Sequence, residues 1–115
     1  MKLESSNLPN GISHIKLDGD LDISGVGAVE TRFYALCAGN PLRVSVDLSS
    51  VGFVGSLGIR MLLQAIKTIS ARGGRLVLLN PAKIVDSALD ISGLGKYVAH
   101  GDQADASARL LEPDK

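Results

Sequence analysis

Hydrophobic residues recur along the chain with two different periods, which predict strands that alternate with helices. Residues 42–48 carry an apolar side chain at every second position, the pattern of a β-strand. Residues 57–71 carry apolar side chains at spacings of three and four, which predicts an amphipathic helix that ends at the polar and glycine residues 72–74. Residues 75–79 are apolar after the first position, as expected of a strand buried on both faces.

The flanking segments extend this alternation in both directions. The stretch after Ser24 places five apolar side chains on one helical stripe: Val26, Val29, Phe33, Leu36 and Cys37. The other predicted elements are a short strand around Leu3, a strand at 11–17 ended by Asp18-Gly19, a helix at 82–91 begun by Asn80-Pro81, an edge strand at 96–99 and a closing helix at about 103–112. This order predicts an α/β fold with a small, mostly parallel mixed sheet flanked by helices.

Length and composition narrow the possible functions. The 115 residues suit a single domain over 1–115, with a core at about 11–98, and 45% hydrophobic residues argue against disorder. The 12 basic residues balance the 12 acidic ones, and two Tyr, two Phe and no Trp offer no platform for stacked bases, so we expect no nucleic-acid partner. Apolar runs too short to cross a bilayer, a lone Cys37 and no leader at Met1 favour a cytoplasmic protein without direct membrane insertion.

The loops that follow parallel strands are where chemistry is expected, because they meet at one edge of the sheet. The loop at 49–56 is the most informative, since Gly52 and Gly55 free its backbone and Ser56 precedes the strongest helix. A serine at this position is either a plain N-cap, worth about 1 kcal/mol, or a phosphate acceptor that faces the free N–H groups and positive dipole end of the helix. Both interpretations stay open on these grounds.

Three segments together resemble a known family. The segment Val46–Leu62, VDLSSVGFVGSLGIRML, resembles the core motif of the STAS domain, and most closely that of the bacterial anti-sigma factor antagonists (anti-anti-sigma factors). Residues 19–22, Gly-Asp-Leu-Asp, resemble the Gly-Glu-Leu-Asp turn of that family. Residues 72–94 resemble its Gly-Gly, strand, helix and Ser-Gly-Leu region. The resemblance extends from about residue 11 to residue 98.

This resemblance implies partner switching in transcription regulation. Ser56 matches the serine that an ATP-dependent anti-sigma kinase phosphorylates, so the chain would bind an anti-sigma factor with serine kinase activity, release sigma factor, and be switched off by phosphorylation. A cognate phosphatase would reverse the switch. The implied partner-facing residues are Asp22, Asp47, Gly55, Ser56, Leu57, Gly58 and Arg60. Gly55 stands where the family pattern has Asp, and Leu57 where it has Ser or Thr.

Other readings of the sequence remain. A STAS subunit that regulates a membrane transport complex by stable docking would need no phosphorylation, and a small-ligand sensor would use the free helix N-termini. A metal or receiver-type site would need Asp18, Asp20 and Asp22 to converge with Asp47. We expect no enzyme activity, cofactor or metal, because neither His14 nor any other residue belongs to a recognisable catalytic or ligand set.

Overall fold

The computed structural model describes residues 1–8, 11–39 and 43–101. The chain order is β1 Lys2–Asn7, β2 Ser13–Leu21, α1 Ile23–Ala38, β3 Arg43–Val54, α2 Ser56–Ala71, β4 Arg75–Leu79, α3 Lys83–Ile91 and β5 Val98–Ala99. A turn of 3-10 helix, Gly95–Tyr97, leads into β5. The predicted closing helix at about 103–112 lies outside the described residues.

The five strands form one sheet in the order β1-β2-β3-β4-β5. β1 pairs antiparallel with β2, and every other pair is parallel. Each connecting helix therefore carries the chain one strand further in the same direction. Because such crossovers are right-handed, α1, α2 and α3 lie on the same face of the sheet. The predicted α/β fold with a mostly parallel sheet is confirmed.

The main core lies between this face and the helices. α1 buries Val26, Val29, Phe33 and Cys37 from its predicted stripe, and α2 buries Leu62, Ile66 and Ile69 together with Met61 and Ala65. These side chains pack on the inward residues of the central strands, which are Ile15, Leu17, Leu21, Val44, Val46, Leu48, Leu76 and Leu78. The alternation that the sequence shows is thus, over residues 44–48, the inward face of a central strand.

The opposite face of the sheet buries a smaller cluster and one polar pair. Ile12, Val77, Leu79 and Ala99 form the apolar part. Beside them His14 Nδ1 lies 2.6 Å from Ser45 Oγ, and only 7% of His14 and 0% of Ser45 is exposed. Each side chain is the hydrogen-bond partner of the other, so neither polar group is buried without a partner.

The largest difference from the sequence prediction concerns β3. The sequence predicts a strand that ends at Leu48 and a loop over 49–55, but β3 continues to Val54. β2 likewise runs through the predicted turn Asp18-Gly19 to Leu21. The register between the two strands slips twice on the way, and these irregularities break the period of two that would have revealed the longer strand.

The start of α3 also differs from its prediction. Ala82 is the N-cap residue and the helix begins at Lys83, so Pro81 precedes the helix and does not occupy its first turn. Asn80 adopts a φ of 53°. Its side-chain amide donates to the Gly101 carbonyl at 2.5 Å and accepts from the Gly101 N–H at 2.8 Å. The Asn80-Pro81 pair therefore fixes the end of β4 to the segment after β5.

The buried His14 predicts a loss of stability in mild acid. Burial lowers its pKa from 6.5, and Lys16 lowers it further, while Asp47 partly opposes both. Above pH 6.5 the imidazole is neutral in both folded and unfolded chains. As the pH falls from 6.5 towards the lowered folded-state pKa, the unfolded chain takes up a proton that the folded chain resists, so the free energy of unfolding decreases.

Urea denaturation at pH 7.5 and 5.5 measures this effect. We expect His14→Gln to lose less stability between the two pH values than the parent chain. The control His100→Gln replaces a histidine whose side chain is 60% exposed and should behave as the parent. Equal pH dependence in the parent and both variants would contradict the role of His14.

Candidate functional site

The exposed hydroxyl of Ser56 lies where the longest strand pair ends and α2 begins. Leu21 and Val54 are the last paired residues of β2 and β3. The Gly55 N–H donates to the Leu21 carbonyl at 3.0 Å, which fixes the start of α2 beside the end of β2. Asp22 and Ile23 follow directly in the chain. The N-termini of α1 and α2 therefore lie side by side, with Ser56 at the surface between β3 and α2.

Ser56 is the first helical residue of α2 and not its N-cap, so the N-cap interpretation is wrong. Gly55 is the N-cap, with an extended backbone at φ −99° and ψ −175°. The first intrahelical hydrogen bond runs from the Ile59 N–H to the Gly55 carbonyl at 3.0 Å. The N–H groups of residues 56–58 come before that bond and have no acceptor inside the helix. They give the surroundings of Ser56 a positive partial charge.

Gly58 seats α2 against the end of the sheet. The residue is buried, and a Cβ there would lie 2.8 Å from Leu21 Cβ and 2.8 Å from Val54 Cγ2. The prediction that Gly58 faces a partner is therefore wrong, because it lies on the inner side of the helix. Its contribution is a close approach that only glycine allows.

Asp22 is exposed and caps α1. Its Oδ1 accepts from the Gly25 N–H at 2.7 Å, and its extended backbone is that of an N-cap residue. The sequence had left open whether such acidic residues satisfy backbone donors or face a partner. Asp22 satisfies a backbone donor of α1 as its N-cap. It also follows Leu21, whose carbonyl accepts from the Gly55 N–H directly before Ser56.

The family resemblance implies that Asp47 faces the partner together with Ser56, but Asp47 lies within β3, well before the end of that strand. It stands opposite Lys16 and Leu79 in the middle of β3, where it is half-buried and accepts from the Ser49 N–H at 2.9 Å. Asp47 lies seven positions before Val54 along the strand, or about 20 Å at the usual rise of a strand. Asp47 acts instead on His14, whose pKa it raises against the effect of burial.

Three exposed hydrophobic residues belong to the segments that meet at the start of α2. Phe53 is 47% exposed, Leu57 38% and Ile23 79%. The Phe53 ring covers Gly55, since a Cβ on Gly55 would lie 3.3 Å from Phe53 Cε2. No charged residue occurs between Ser49 and Ile59. Ile23 and Phe53 could not be predicted from the sequence as parts of this site, because Ile23 lies off the buried stripe of α1 and Phe53 belongs to a segment predicted as a loop.

The acidic and histidine side chains of the described residues do not form a cluster of metal ligands. Within residues 1–8, 11–39 and 43–101, no three His, Cys, Asp or Glu side chains come together as metal ligands would. His100 Nε2 lies 3.6 Å from Asp86 Oδ2 of α3, which makes a pair and not a set of ligands. In the same described ranges, no helix has the length and apolar character needed to span a membrane.

The sequence of this chain is similar to one protein family and to known members of it. Residues 6–107 match the STAS domain family. An anti-sigma F factor antagonist of Lysinibacillus sphaericus is 27% identical over 97 residues, which cover 84% of this chain and 83% of that protein.

Solved structures are similar over almost the whole chain. The anti-sigma factor antagonist SpoIIAA in its unphosphorylated form gives a TM-score of 0.82 at 23% identity, covering 95% of this chain and 96% of that one. The Bacillus cell fate determinant SpoIIAA in its phosphorylated form gives 0.76 at 22% identity, covering 95% and 99%. At these identities the likeness concerns the fold.

The close contact at Gly58 predicts a matched pair of glycine substitutions. We expect Gly58→Ala to lower the free energy of unfolding by about 1–3 kcal/mol, because the new methyl group overpacks the contact with Leu21 and Val54. Gly27→Ala on α1 should raise it by about 0.5–1 kcal/mol, because a Cβ there meets nothing within 4 Å and alanine favours the helix. Urea denaturation measures both. Equal changes in the two variants would show that Gly58 does not set the position of α2.

Proposed function

The chain belongs to the STAS domain family, and on that premise we propose that it is an anti-sigma factor antagonist whose binding is switched off by phosphorylation of Ser56. It binds an anti-sigma factor that carries serine kinase activity, and the sigma factor held by that protein is released. The name of the Lysinibacillus relative supports the regulatory class. The observation that carries the switch is an exposed hydroxyl at a helix N-terminus with apolar side chains around it.

The proposed contact surface is the Ser56 face, which we define as Asp22, Ile23, Phe53, Ser56, Leu57 and Arg60. Its apolar members give a partner hydrophobic area to bury at about 25 cal/mol per Å². Its hydroxyl is neutral and small enough to enter such a contact. Gly55 and Gly58 support this face through the backbone, and Asp47 is left out because it lies elsewhere on the sheet.

Phosphorylation changes the charge of this face without changing its fold. The kinase transfers the terminal phosphoryl group of ATP to Ser56 Oγ. The phosphoanhydride bond of ATP breaks as the Oγ–P bond forms, the hydroxyl proton goes to a base of the kinase, and ADP leaves. The product carries a charge of about −1.5 to −2 at neutral pH. Burying that charge against a partner costs several kcal/mol, which is enough to end the binding.

The residues beside the acceptor define what the kinase can recognise. Gly55 offers no carboxylate, and the space where a side chain would begin lies against the Phe53 ring. Leu57 presents an apolar side chain in place of a hydroxyl. Recognition of Ser56 therefore depends on Phe53, Leu57 and the backbone, and a kinase that requires an acidic residue before the serine would not accept this chain.

Substitutions of Ser56 test the switch. We expect Ser56→Ala to bind the anti-sigma factor as the unmodified protein does and to resist phosphorylation. Ser56→Asp should raise the Kd at least about 30-fold, near 2 kcal/mol, because it places a charge in the contact. The partners to use are the anti-sigma factors with kinase activity encoded in the same genome, with mass spectrometry to locate the phosphate and calorimetry to measure Kd.

Ser70→Asp is the control for added charge, because Ser70 is exposed at the other end of α2. It should bind as the parent does. Equal binding by Ser56→Asp and the parent, with no phosphate gained at Ser56, would contradict the switch and favour stable docking of the kind used by a transporter-associated STAS subunit.

Two exposed isoleucines test the apolar part of the Ser56 face. Ile23 is 79% exposed at the start of α1, and Ile91 is 87% exposed at the end of α3. Ile23→Ser should weaken binding about tenfold or more, since burying an isoleucine is worth about 1.5–3 kcal/mol. Ile91→Ser should bind normally, and neither change should alter folding. An equal effect of the two substitutions on Kd would refute the assignment of this face.

A further inference from the structure

Arg60 is the first charged residue after Ser56 along the chain, and it stands four positions later in α2. Residues at this spacing are neighbours on a helix surface, with their Cβ atoms about 5–6 Å apart. Every Cα–Cβ bond in a helix tilts towards the N-terminus, so the Arg60 side chain leans back over the turn that begins at Ser56. Both residues are exposed.

The charge of Arg60 acts close to the neighbouring helix, where α1 and α2 pack together. Burial and the Glu30 carboxylate raise the pKa of Tyr34, and Arg60 lowers it in part. The guanidinium therefore lies within electrostatic reach of the outer surface of the helix pair. Tyr34 lies in the C-terminal half of α1. Arg60 is the cationic residue nearest to Ser56 in sequence.

The chemistry of the two groups is complementary once Ser56 carries a phosphate. A guanidinium presents its N–H donors as a planar fork that matches two phosphate oxygens, and such charge-assisted pairs are stronger than neutral hydrogen bonds. An anionic residue four positions before a cationic one is also the favourable order on a helix. The N–H groups of residues 56–58 add a second attraction for the same phosphate.

We propose that Arg60 binds the phosphate on Ser56, so that phosphorylation closes an internal ion pair across the first turn of α2. The proposal rests on the proposed function, because it assigns to Arg60 the regulation of that same site. In the unmodified chain Arg60 is available to a partner, and in the modified chain its charge is directed at the phosphate. The modification then changes two members of the Ser56 face: it adds an anion at Ser56 and engages the cation at Arg60.

The experiment uses the full chain with phosphoserine incorporated at position 56 during translation, so that it needs neither the kinase nor the anti-sigma factor. Phosphorus NMR follows the second ionisation of the phosphate as the pH is varied at low salt. We expect the pKa of this phosphate to be lower in the parent chain than in Arg60→Gln by about 0.3 or more, the equivalent of a helix ion pair. Arg60→Lys should retain part of the difference.

The matched control is Lys67→Gln, which removes one positive charge from the same exposed helix surface further along α2. It should leave the pKa of the phosphate unchanged, and raising the salt concentration to 1 M should reduce the Arg60 effect because screening weakens exposed pairs. The same pKa in the parent and Arg60→Gln, or an equal rise in Arg60→Gln and Lys67→Gln, would overturn the proposal. Neither result would bear on whether the unmodified chain binds an anti-sigma factor, which the Ser56 substitutions test separately.

Discussion

The pairing of β2 with β3 up to Leu21 and Val54 is the constraint on which the site depends. It brings the end of β2 to the start of α2, and the hydrogen bond from the Gly55 N–H to the Leu21 carbonyl holds them there at 3.0 Å. Because α1 starts immediately after Leu21, the same pairing places two helix N-termini together. The buried Gly58 then lets α2 approach the sheet closely, while Ser56 and Leu57 of the same turn remain exposed. A shorter strand pair would leave the serine on a loop without a fixed orientation.

The segment from Ser49 to Ile59 contains no charged residue, and this determines the electrostatics around Ser56. That stretch carries no charge, and its exposed members Phe53 and Leu57 are apolar. A segment without charge can be buried by a partner at little cost in desolvation, and a phosphate on Ser56 adds an anion to it. The helix N-terminus tolerates the added charge, so the modification can oppose binding while the fold remains intact. Arg60, one turn further along, is placed to respond to that charge.

The sequence predicted the architecture well because the core elements are regular. The period of two at 42–48 and the helical stripe of residues 57–71 each describe a single buried face, and such periods survive in the fold. The prediction failed where strands are irregular: the register slips between β2 and β3 hid the extension of β3 to Val54. The same failure concerns Asp47, which the sequence placed near the end of its strand and which lies in mid-strand near His14. Ile23 and Phe53 could not be predicted as site residues, because an exposed apolar residue has no periodic signal. Only the folded chain brings their two segments together next to Ser56.

The most direct test of the account is release of a sigma factor from its anti-sigma factor. A fluorescently labelled sigma factor is bound to the anti-sigma kinase, and its anisotropy is followed as this protein is added in the absence of ATP. The account predicts that unmodified protein lowers the anisotropy to that of free sigma factor at stoichiometric amounts, and that protein with phosphoserine at position 56 leaves the complex intact at the same concentrations. Equal release by both forms, or release by neither form with any anti-sigma factor of the genome, would contradict it.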